Sequence, residues 1–128
     1  LGADRSTLGP LLESLLAAKG RTLGKDTHPE RGYFFRSDHF PLAKAGVPAL
    51  SLSEPKAFTG PNAEALLARQ EAYNDTDYHQ PSDQYDPSWD FSGGVADLKV
   101  IAELAWRIAA APEMPTYNVG DQFANVRK

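Results

Sequence analysis

The feature that most restricts this chain is a lone strand pattern among helices. In "VPALSLS" apolar and polar residues alternate, which predicts a short strand at 48–53 with Leu50 and Leu52 on one face and Ser51 and Ser53 on the other. An isolated strand leaves its backbone donors and acceptors unpaired. It closely follows a helical pattern, as in an αβ unit of a layered α/β domain. Partner strands would have to come from 1–3, 32–36 or 118–124. The expected class is therefore α/β, helix-rich, with an incomplete sheet, as in part of a larger domain.

The helical patterns are clearer. Leu8, Leu11, Leu12, Leu15 and Leu16 recur at helical spacing, with Ser6 or Thr7 to cap the start and Gly20 to stop the helix. Residues 21–32 read as a polar loop. Asp38 is placed to cap a short helix through Lys44, with Pro41 in its first turn and Gly46 at its end. Asn62 opens a further helix, "NAEALLARQEAY". Asp90 or Ser92 opens a long one running to Ala111, with Val95, Leu98, Ile101, Leu104, Ala105 and Ile108 as its expected buried stripe. Pro112 and Pro115 end it. Residues 113–128 read as an extended tail.

Composition excludes several function classes. The 128 residues fit one domain, and 41% of them are hydrophobic, ordinary for a globular protein. A net charge of −4 with scattered basic residues gives no case for nucleic acid or an anionic membrane as partner. No apolar run approaches membrane-spanning length. There is no cysteine, so a metal would need His, Asp or Glu. No signal peptide is visible at Leu1, and no initiator Met is present, so the expectation is that the native N-terminus has been removed.

Chemistry concentrates in "YNDTDYHQPSD", residues 73–83. Imidazole is the commonest metal ligand, and loops are where α/β domains carry their sites. His79 is therefore either a ligand or a surface histidine in a polar loop. Asp75, Asp77 and His79 begin like a calcium loop, but Gln80 stands where that loop needs glycine and no glutamate closes it. Asp83 reads as capping a turn after Pro81. In "RSDHFPLAKAGVPAL", Arg36 and Asp38 lie where a turn enters a helix. They either hold the termini of a substrate or serve as a surface pair and a cap. His39 reads as packed on the helix. "SGG" at 92–94 is a helix start. No phosphate loop, nucleophile elbow or triad spacing occurs.

Together, "RSDHFPLAKAGVPALSL" and "NDTDYHQPSDQYDPSWDFSGGVADLKVIAELAWRIA" resemble the C-terminal portion of the M-28 zinc metallopeptidases, an aminopeptidase family related to glutaminyl cyclases. The resemblance runs from about Leu1 to Ala111. It rests on a turn, helix and strand block and, about 40 residues later, a Tyr-His-x-x-x-Asp block before the terminal helix. It implies a three-layer α/β/α zinc-exopeptidase domain, of which residues 1–112 would be the C-terminal part and 113–128 the tail. It implies that His79 is the last ligand of a two-zinc site and that Tyr78 donates to the developing oxyanion. Arg36 and Asp38 would line the substrate pocket, and Asp83 would support the loop of His79.

The chain departs from that pattern in one respect. It has no His-x-Asp pair, no Glu-Glu pair and no further acidic ligand matching the family's. The resemblance therefore implies that the missing N-terminal part of the same domain carries them. The parent would be a secreted or periplasmic metal-dependent aminopeptidase acting on peptides. The chain alone would bind zinc weakly, be inactive, and be open to self-association through exposed sheet edges. Alternatives are a glutaminyl-cyclase-like acyltransferase, against which Tyr78 in place of the common Trp leans, and a metal-free interaction domain of the same fold.

Overall fold

Leucines at helical spacing form α1, Leu8–Ala17, and bury Leu8, Leu12, Leu15 and Leu16. Its first donors are met by Ser6, whose Oγ accepts the Leu8 N–H at 3.3 Å; Thr7, at the cap position, makes no such bond. Gly20 ends the helix in the left-handed region (φ 67°), with the Arg21 N–H returning to the Leu16 carbonyl. Gly9 is required by contact: a Cβ there would lie 1.9 Å from the Ala3 carbonyl oxygen.

This computed structural model describes residues 1–26, 28–52 and 58–126. The chain divides into two units, residues 1–53 with 93–128, and residues 54–92. In the first, α1 packs on α4, Ser92–Ala110, through Leu12, Leu15, Leu16, Val100 and Leu104. Lys19 and Arg107 both pair with Glu103, at 2.8 and 2.7 Å. A second cluster joins Phe34, Ala43, Tyr117 and Phe123, with α2, Phe40–Lys44, beside it.

Residues 113–126 contribute directly to this unit. Tyr117 and Phe123 are both buried. The Tyr117 hydroxyl donates to the Val47 carbonyl at 3.0 Å. Thr7 N–H donates to the Thr116 carbonyl and Asn118 N–H to that of Arg5, forming an antiparallel bridge between Ser6 and Tyr117. Arg5 completes the arrangement. Its guanidinium lies 4.7 Å from the Phe34 ring centre, 5.3 Å from Phe123 and 5.7 Å from Phe35, and it pairs with Asp121 at 2.9 Å. A cation among three rings gains attraction from their negative faces, but still needs its counter-ion to offset lost hydration.

The expected α/β/α class is corrected. Among the described residues there is no strand, and the fold is almost entirely helical. Residues 48–52 form no ladder, and Ser53, the last residue of the expected strand, lies outside the described residues. The alternation alone does not make the expected strand, because its pairing stops at one residue: the Ser51 N–H donates to the Leu1 carbonyl at 3.1 Å. Of the proposed partner segments, 1–3 pairs through Leu1 alone, and most of the rest is taken by turns. Ala3–Arg5 and Tyr33–Arg36 are 3-10 turns, and the segment from 119 is turns.

The stripe of α4 is also corrected. Val100 and Leu104 are buried, whereas Val95, Leu98 and Ile101 are exposed. The helix is apolar around much of its circumference, so periodicity cannot choose a face; the leucines of α1 do. Asp38 does not cap α2, whose cap position is His39.

His39 is half-buried, with its ring edge-on to Phe34 at 4.6 Å and its Nε2 buried without a partner. Burial first, and the Leu1 ammonium second, hold its pKa below the ordinary 6.5, against the opposing pull of Asp38. The unfolded chain therefore binds the extra proton first as pH falls. This contribution to stability is complete above about 6.5 and is lost as pH drops toward the lowered value. Melting curves between pH 8 and pH 5 should show a smaller acid-side loss for His39→Phe than for the native chain; equal losses would refute the reading. In urea melts Asp121→Ala should cost about 1–3 kcal/mol by stranding the Arg5 cation, and an unchanged midpoint would contradict that.

Candidate functional site

The unit of residues 54–92 is built on α3, Ala63–Thr76. Its apolar residues gather on no single face, and no described residue of this unit is buried. Asn62 sits at its cap position without a side-chain cap bond. The helix runs through Thr76, so residues 74–76 of "YNDTDYHQPSD" extend it past Tyr73, where the sequence reading ended it.

The Tyr73 carbonyl ends the helix by accepting the N–H groups of Asp77 and Tyr78, at 2.9 and 3.0 Å. Tyr78 and His79 then project side by side. Their rings stack with centres 4.0 Å apart and planes 28° apart, and both residues are exposed. His79 has φ 62°, the one non-glycine residue with a positive φ among those described. For a side chain with Cβ this is a costly conformation that its surroundings must hold.

The loop is held by hydrogen bonds. The Gln80 N–H donates to the Asp77 carbonyl at 2.8 Å, and that of Asp83 to the Gln80 carbonyl at 3.0 Å. The Tyr73 hydroxyl donates to Asp83 Oδ2 at 2.9 Å. Hydrogen bonds from the Ser82 and Thr76 side chains, in that order, hold the Asp77 carboxyl below the usual carboxylate range. The Asp86 carboxyl is lowered by the backbone and hydroxyl of Ser88, with help from the Arg69 cation. Asp90 is lowered by the N–H and hydroxyl of Ser92, where α4 begins.

Beside this loop lies a cleft of about 320 Å³, lined by residues that include Arg69, Tyr73, Asp77, Asp83, Asp86 and Trp89. Tyr85, Trp89 and Phe91 form an exposed aromatic trio with centres 5.9 to 6.4 Å apart. Of the residues singled out in the sequence, Tyr78, His79 and Asp83 share this unit. Arg36 and Asp38 belong to the other, both exposed at the turn between Tyr33–Arg36 and α2. Tyr73 escaped the sequence reading. The signal was its place one helical turn before Asp77, on the same face of α3.

These residues were tested against a zinc ion, which takes three protein ligands in a catalytic site and four in a structural one. No group of three or more His, Asp or Glu side chains among the described residues is arranged to hold a metal. His79 offers one imidazole, and Asp83 is engaged by Tyr73. The described residues alone do not fit the ion.

The sequence model of peptidase family M28 matches residues 1–102, most of the chain. No curated protein and no solved structure matches it. The extent of the family match is decisive: this chain belongs to peptidase family M28.

Proposed function

We propose that the chain forms one wall of the active site of a metal-dependent exopeptidase of the aminopeptidase type. The observation that carries this reading is the Tyr78–His79 pair, exposed side by side at the end of α3 within the family match. His79 supplies one zinc ligand. Tyr78 presents its hydroxyl to the oxyanion that forms when the scissile carbonyl is attacked. A donor so placed acts on charge present only in the transition state. Asp83 steadies the loop that carries them.

The remaining ligands and the general base lie on chain outside these 128 residues, in keeping with the absence of His-x-Asp and Glu-Glu motifs from the sequence. The isolated chain is therefore inactive, and the whole enzyme acts outside the cytoplasm.

The test uses the protein with its upstream chain attached and an aminoacyl p-nitroanilide as substrate. Tyr78→Phe should lower kcat about 10²–10³-fold with KM little changed, as for loss of one oxyanion donor. His79→Ala should abolish turnover. Full activity in His79→Ala, or turnover by the isolated 128-residue chain, would refute the proposal. A longer protein inactive even in native form would favour an interaction domain.

A further inference from the structure

We propose that Tyr73 is the positioning residue of this site, the group that holds Tyr78 and His79 in their stacked arrangement; this rests on the reading of that pair as functional. Three parts of Tyr73 act in three directions. Its carbonyl accepts the N–H groups of Asp77 and Tyr78, which ends α3 and sets where Tyr78 leaves the helix. Its ring lies 6.2 Å from the Tyr78 ring at 60°, bounding the space on that side. Its hydroxyl, at the far end of the ring, donates to Asp83 at 2.9 Å. One residue thus ties both ends of the loop that carries His79, its start through the carbonyl and its far end through the hydroxyl.

The loop needs such a tie. No described residue of this unit is buried, so apolar packing does not fix its conformation. His79 holds a positive φ that a side chain adopts only under constraint. The backbone bonds from Gln80 to Asp77 and from Asp83 to Gln80 close local turns, but they leave open how those turns lie against α3. The Tyr73–Asp83 bond spans the loop from the helix itself. The competing tie is Asp77 with Ser82, which joins the loop to the first residue past the helix.

The two are separable by NMR on the 128-residue chain. Stacking on Tyr78 displaces the His79 ring-proton signals upfield, and Tyr78→Leu marks the position without stacking. Tyr73→Phe, which keeps ring and carbonyl, should lose at least half of that displacement while the melting temperature is unchanged. Asp83→Ala should do the same. Asp83→Asn, whose side-chain carbonyl still accepts the bond, should restore it; a purely structural effect would not follow this pattern. Retention of the full displacement in Tyr73→Phe, or its loss in Ser82→Ala alone, would overturn the proposal. These signals do not depend on catalysis, so the assay of the longer protein judges the functional reading separately.

Discussion

The packing of Leu12, Leu15 and Leu16 on Val100 and Leu104 is the contact on which the rest of the larger unit depends. Each such side chain contributes about 1.5–3 kcal/mol when fully buried. The contact joins the start of the chain to its last helix. It also sets the rotation of α4, and thereby which of its many apolar side chains are buried. Behind it, Arg5 couples the 3-10 turn Ala3–Arg5 to Asp121 and the phenylalanine cluster. This cation adds to the backbone bridge between Ser6 and Tyr117 in joining the N-terminal turn to the C-terminal segment.

Residues 54–92 obey a different rule. Among their described residues no side chain is buried, and the loop geometry rests on directed bonds: Tyr73 to Asp83, and Ser82 and Thr76 to Asp77. Directed bonds suit a site better than packing does, because they fix the orientation of exposed groups such as Tyr78 and His79. They also leave those groups accessible. Their cost is marginal stability, since an exposed hydrogen bond contributes little net free energy against water.

Much of this was legible in the sequence. The leucine spacing of α1, its stop at Gly20, and the helices at Asn62 and near Asp90 follow from local rules that need no tertiary partner. The adjacency of Tyr78 and His79 is simply covalent. What escaped was decided at long range. A strand was expected at 48–53 from its alternation, but strands exist only as pairs, and among the described residues 48–52 the only backbone pairing is that of Ser51 with Leu1. The face of α4 was ambiguous because too many of its positions are apolar. The packing of Tyr117 and Phe123 was hidden in a segment with too little periodicity to announce it. Tyr73 was overlooked because its partner, Asp83, lies beyond the reach of helical spacing.

What unites these observations is a chain that belongs to peptidase family M28 and that has, among its described residues, no group of three or more His, Asp or Glu side chains arranged to hold a metal. The most direct measurement is a zinc titration of the 128-residue chain, followed by the His79 ring signals in NMR, with His79→Ala as control. The account predicts gradual movement of those signals, far from saturation at one equivalent of zinc, and no such response in the control. Saturation at one equivalent would contradict it, because the chain would then hold a complete metal site of its own.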